Sequence, residues 1–152
     1  MPKASVKRLI ECKKEDLINL VLDIEKYPEF VPFCFDAKVY ENKNEGDLTK
    51  IIADLTIGKG PFKDTYKSDV VFNRKEDSIF VNNIKGPLNH LSNNWIFVDK
   101  ENGITEVTFD IDFEIKNKFL NSLMVVSFQF GLEKIADAFQ KRAEQLFSSS
   151  KN

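Results

Sequence analysis

Thr105-Glu106-Val107-Thr108-Phe109-Asp110-Ile111-Asp112-Phe113-Glu114-Ile115 alternates apolar and polar side chains without a break, and a different pattern begins three residues later. A period of two over this length predicts a strand with one apolar face and one acid-rich face in water. From 118 to 147 the period becomes helical. Leu120, Met124, Phe128, Gly131, Ile135, Ala138 and Arg142 fall on one stripe, and Phe119, Leu123, Val126 and Phe130 on a second. Such a helix is about 43 Å long, and its first half is apolar over most of its circumference. It cannot lie on a surface, so another element must wrap it. An antiparallel sheet with one apolar face, curled around the helix, satisfies both patterns.

Upstream, residues 34–115 read as strand after strand. They are separated by turn signals at Asn42–Asp47, Gly58-Lys59-Gly60-Pro61, Asn73–Asp77, Gly86-Pro87 and Asp99–Gly103. Ile51, Ala53, Leu55 and Ile57 repeat the alternation. Phe62, Tyr66, Val70 and Phe72 share a face with Asp64 and Ser68. Short connections make these strands an antiparallel meander. Residues 3–11 read as a first strand, and 13–25 as a helix on Leu17, Leu20, Val21 and Ile24. Pro28 and Pro32 then stiffen 27–33 into a short turn or one-turn helix. The expected fold is α+β, a curved antiparallel sheet of about seven strands gripping one long C-terminal helix. Residues 1–147 form a single domain and 148–152 a frayed tail.

The 152 residues are 42% hydrophobic and 30% charged, ordinary values for one globular domain. The net charge of −2 disfavours a basic nucleic-acid module, and no DNA partner is expected. Lysine outnumbers arginine 19 to 3, which reads as codon bias. Cys12 and Cys34 form no CxxC, so they read as two free buried thiols in a reducing compartment. No stretch approaches a membrane span, and the N-terminus lacks the apolar region of a signal peptide. The expected compartment is the cytoplasm.

Catalysis finds little support. His90 is the sole histidine, with no group spaced to complete a nucleophile–base set, and it reads as a structural residue. Asp110, Asp112 and Glu114 alternate onto the wet face, away from any shared proton. Phosphate-cradling and metal-binding motifs are absent, so no metal and no enzyme activity are expected. The unusual feature is 14 Phe in so short a chain. These rings either fill the core or line an apolar cavity between sheet and helix. Tyr27-Pro28-Glu29-Phe30-Val31-Pro32-Phe33 would form a stiff apolar lip, suited to gating a cavity or touching a membrane.

Tyr27-Pro28-Glu29-Phe30-Val31-Pro32-Phe33-Cys34 resembles the YP-x-FLP-x-C segment of the START-like coenzyme Q-binding family, formerly grouped with polyketide cyclases. Gly86-Pro87-Leu88 with Leu91 and Trp95-Ile96-Phe97, then Phe113-Glu114-Ile115 with Asn117-Lys118, then Ala138-Phe139 with Arg142-Ala143, follow in the family's order. Asn93 departs from it, standing where the family has glycine. The resemblance implies a helix-grip fold with a cavity for ubiquinone or another polyisoprenoid lipid, bound without catalysis or any other cofactor, in support of respiratory quinone handling. It also implies, as the alternative, the activity of the family's bacterial branch, which includes the RatA-type toxins: binding the large ribosomal subunit and blocking subunit association.

The candidate ligand contacts are Tyr27, Phe30, Val31, Pro32 and Phe33 at the mouth, and Trp95, Phe97, Phe109, Ile111 and Phe113 on the sheet wall. Leu120, Leu123, Met124 and Phe128 would form the helix lid, and Tyr66 a polar handle for a quinone carbonyl. Transient membrane contact through 27–33 would place the protein peripherally at the inner membrane. Ribosome binding has less behind it. Lys3, Lys7, Arg8, Lys13, Lys14, Lys59, Lys63 and Lys67 are the best basic candidates, yet they are interspersed with acids. Stable association at physiological salt is not expected.

Overall fold

Each strand of the meander ends where its neighbour can turn back on it, and the result is one antiparallel sheet. The computed structural model describes residues 3–59, 61–85, 88–115 and 118–147, and the side chains of 59, 62, 85, 88–90, 115 and 118–128 stand outside that description. The chain runs β1 (Lys3–Glu11), α1 (Lys14–Leu22), a 3-10 turn (Ile24–Glu29), β2 (Cys34–Glu45), β3 (Leu48–Lys59), β4 (Phe62–Asn73), β5 (Ser78–Lys85), β6 (Leu88–Asp99), β7 (Ile104–Ile115) and α2 (Lys118–Phe147). The sheet order is β1-β7-β6-β5-β4-β3-β2. Bulges interrupt β2 at Cys34/Asp36 and Val39/Glu41, and β6 at Leu88/His90. Bulges bend strands and raise their twist, which lets a long sheet wrap a helix. The expected turn at Gly86-Pro87 and the tail at 148–152 lie outside the described residues.

Alternation in β7 reads out as expected. Thr105, Val107, Phe109 and Phe113 are buried, while Asp110 faces solvent. In β4, Tyr66, Ser68, Val70 and Phe72 are buried, and the Ser68 hydroxyl reaches the Ala53 carbonyl at 3.4 Å. The helix expected over 13–25 is shorter. It stops at Leu22, where the Asp23 N–H bonds back to Asn19 and Leu20, and a 3-10 turn carries on to Glu29. Asp23 leaves the helical region with ψ 67°, and Pro28, inside the turn, offers no N–H with which an α-helix could resume from Ile24.

α2 packs on β1, β7 and α1. Arg8, on the inner face of β1, ion-pairs with Asp137. Gln140 donates to the Leu9 carbonyl at 3.2 Å, and Glu144 accepts the Glu11 N–H at 3.1 Å. The buried line of the helix's second half is Leu132, Phe139 and Ala143, with Ile135 and Ala136 beside it. The expected stripe through Ala138 and Arg142 is therefore displaced by one residue, and Phe130 stands 65% exposed. The path Leu132–Ile135–Phe139–Ala143 keeps i+3/i+4 spacing on apolar residues alone, whereas the expected path ends on an arginine.

Candidate functional site

The inner face of the sheet carries two groups of candidate side chains. The first lies under the second half of α2. Trp95 stacks on Phe109 with centroids 4.1 Å apart and lies parallel to Phe97 at 6.3 Å. Phe139 meets Trp95 edge-on at 5.2 Å. Beside them a void of about 20 Å³ is lined by Val6, Ile10, Leu17, Val107 and Ala136 among others. That is room for about one water. Trp95, Phe97 and Phe109, expected as cavity wall, are thus occupied with one another and with Phe139. This end is a packed core.

The lip belongs to the same core. Tyr27 and Phe30 meet Phe139 edge-on at 5.4 and 5.2 Å, and the Tyr27 hydroxyl donates to the Val21 carbonyl. The Arg142 guanidinium sits 5.1 Å from the Phe30 ring and pairs with Glu29 at 2.9 Å. Phe33 takes a left-handed φ of 69°, and a Cβ on Gly131 would meet its ring at 3.9 Å. Val31 and Pro32 are half-buried. The segment is strapped to α2, unlike the free-standing lip that its sequence suggests. Its two prolines fix the turn, and the turn aims the rings at the helix.

The second group lies beyond this core on the same face. Tyr66, Leu91 and Phe113 form their own buried cluster, with Leu55 and Ile111 packed against it. Tyr66 brings the one polar side-chain group of this cluster. Burial pushes its phenol well above the ordinary range, with the nearby Cys34 thiol adding to it, so the group stays protonated. Asn93, half-buried, continues the same face of β6 between Leu91 and Trp95. Leu120, Leu123, Met124 and Phe128, expected as the lid, lie outside the described side chains. Sequence reading passed over Leu55, Leu91 and Phe139 as site-forming residues. Their strand alternation and helical spacing were legible, but which ring each would meet was not.

Chemically the interior is quiet. Burial pushes both thiols up to about 11, with Asp16 and Glu144 adding to Cys12 and Asp36 to Cys34. A thiol so protonated at neutral pH is a poor nucleophile. Among the described residues no three His, Cys, Asp or Glu side chains are grouped to hold a metal ion. No described helix is long and apolar enough to cross a membrane. An open depression of about 360 Å³ also marks the outer face of the sheet, between Lys3, Phe80, Asn94 and Asp110.

Residues 10–140 match the family described as polyketide cyclase / dehydrase and lipid transport. The chain is 30% identical over 142 residues to the ribosome association toxin RatA of Rickettsia prowazekii, covering 91% of this chain and 94% of that one. It is 30% identical over 135 residues to the mitochondrial coenzyme Q-binding protein of Dictyostelium discoideum, covering 87% of this chain and 64% of that protein. A START superfamily protein from Mycobacterium smegmatis shares the fold with a TM-score of 0.81 at 21% identity, over 95% of this chain and 98% of its own.

Proposed function

The chain belongs to the polyketide cyclase / dehydrase and lipid transport family, and from that membership and the geometry of its inner face we propose that it binds a lipid without transforming it. The ligand we favour is ubiquinone or another polyisoprenoid lipid, handled in support of respiration at the cytoplasmic face of a membrane. The observation that carries the reading is the apolar cluster of Tyr66, Leu91 and Phe113, with Leu55 and Ile111 against it, which sets one phenol among hydrocarbon side chains apart from the packed Trp95 core. The Tyr66 hydroxyl, held protonated there, would donate to a ligand carbonyl, a bond worth about 0.5–1.5 kcal/mol. The apolar wall around it would stabilise a hydrocarbon tail at roughly 25 cal/mol per Å² buried. Both thiols held protonated, and a tyrosine held neutral, support binding over catalysis.

Native mass spectrometry of protein from a quinone-producing host tests the reading. A copurifying quinone, or quinone uptake from loaded vesicles that weakens in Tyr66→Phe, is the expected result. Protein that arrives empty and takes up no quinone from vesicles overturns it.

A second reading is favoured by the similarity to the Rickettsia toxin over nearly its whole length: docking on the large ribosomal subunit and blocking subunit joining. The charge distribution weighs against it. Of the basic residues near β1, Lys3 pairs with Asp112, Arg8 with Asp137, and Lys14 with both Asp77 and Asp99. Lys67 pairs with Asp54. Each of these cations carries an acid beside it, so the local net charge offered to phosphate is small. Sucrose-gradient sedimentation decides between the two readings, and co-migration with large subunits at physiological salt would put the toxin reading first.

A further inference from the structure

Asn93 lies on the inner face of β6, flanked by Leu91 and Trp95 on its own strand. Its cross-strand partners are Val81 on β5 and Ile111 on β7. Four large apolar neighbours make a carboxamide out of place there unless it is used. Half of it is used inside the protein: Trp95 Nε1 stands 3.1 Å from Asn93 Oδ1. An indole N–H only donates, so the amide oxygen must face it, and the amide nitrogen is turned to the opposite side. Nδ2 has no partner among the described residues, and the side chain is only half-buried. Two N–H donors therefore point from an apolar wall into accessible space. Their position is a seam. Ile111 packs against both the Trp95 core and the Tyr66 cluster, and Leu91, two residues away on the same face, belongs to that cluster.

We propose that Asn93 is a specificity-determining residue, whose two amide donors select ligands with a hydrogen-bond acceptor on the head (a carbonyl, ether or ester oxygen) over plain hydrocarbon. This rests on the interior lipid site proposed above. It names what that site reads: an apolar tail against the wall, and an acceptor-rich head between the Asn93 amide and the Tyr66 hydroxyl. Trp95 clamps the amide in the donating orientation, which spares the ligand the cost of ordering it. Glycine, the residue the resembling family has here, supplies no such donors.

Asn93→Asp keeps the shape and still accepts from Trp95, but offers the interior an acceptor in place of donors. Asn93→Gly removes the donors without adding charge, and serves if the Asp variant does not fold. Diphenylhexatriene, an acceptor-free hydrocarbon dye, is titrated into each protein and then displaced by a dimethoxybenzoquinone bearing a ten-carbon tail. The single tryptophan of the chain, Trp95, reports by its emission whether the local fold is kept. Dye affinity is expected to stay at the wild-type value in the variants, while the quinone concentration needed for displacement rises about tenfold. Unchanged displacement by quinone overturns the proposal, and so does equal weakening of dye and quinone, which marks a merely structural residue. Wild-type protein that binds neither probe overturns the interior site itself, and this inference with it.

Discussion

Phe139 and Phe130 are the same residue on the same helix, nine positions apart, and they have opposite fates. Phe139 is 4% exposed and meets Tyr27, Phe30 and Trp95 edge-on. Such pairs add about 0.5–1.5 kcal/mol each beyond the area they bury. Phe139→Ala should therefore lower the unfolding free energy by about 3–5 kcal/mol in urea titrations. Phe130→Ser, at an exposed ring with the Lys134 ammonium 4.8 Å from its centroid, should change it by no more than about 0.5 kcal/mol. Residue type does not separate these two positions; only the line along which the helix touches the sheet does. The three arginines teach a similar lesson. Scarce as they are, their placement is not random. Arg8 pairs with Asp137, Arg142 with Glu29, and Arg74 reaches Asn44 at 3.0 Å and the Gly46 carbonyl at 3.3 Å. Each ties together elements distant in sequence, work for which a planar five-donor fork suits better than an ammonium.

At the scale of elements, periodicity was a good guide, and its phase held for the strand over 105–115 but not for the last helix. The strand over 105–115 and the helix over 118–147 were both legible, because alternation and helical spacing persist over many residues. The helix's buried line was displaced by one residue, because an N-terminal half apolar on most sides defines no unique stripe to extend. Gly131 offers a test of α2. Its φ is ordinary, and an added Cβ would meet the Phe33 ring at 3.9 Å, a normal contact. Gly131→Ala should stabilise the protein by about 1 kcal/mol, since glycine is a poor helix residue and nothing here requires it. Thermal unfolding checks this, and a lower melting temperature would mean that Phe33 needs more space than the geometry shows. The strap over 27–33 was legible as stiff but not as packed on α2. Prolines announce rigidity, whereas the direction of the rings depends on a helix more than a hundred residues away.

For the molecule as a whole, the fold class could be read from two adjacent stretches, while the division of its interior could not. Sequence marks which residues face inward; whether an inward face is packed or open depends on where α2 crosses it. Charge gives a prediction at this scale. The Cys12 and Cys34 thiols rise from 9.0 to about 11, and Tyr27, Tyr66 and Lys14 also lie above their ordinary values. For the thiols and phenols burial is the main cause; for Lys14 it is hydrogen bonding to Asp77 and Asp99. In every case the folded state holds a proton that the unfolded chain releases first, so stability is lost as pH rises. Urea midpoints should therefore hold from about pH 7 to 9 and decline above it. Tyr66→Phe should make the decline shallower at the top of the range, and a flat profile for the wild type would contradict the burial of these groups. One feature of the sheet reaches into the life of the chain before it is folded. Among the described residues β1 pairs only with β7, from Lys3↔Asp112 to Glu11↔Ile104, so the first strand made must wait for roughly a hundred later residues before it finds its place. The meander from β2 to β7 can assemble as it emerges from the ribosome, hairpin by hairpin. β1 and the apolar half of α2 cannot close until synthesis is nearly done, and in that interval their uncovered surfaces make this chain a natural client of chaperones.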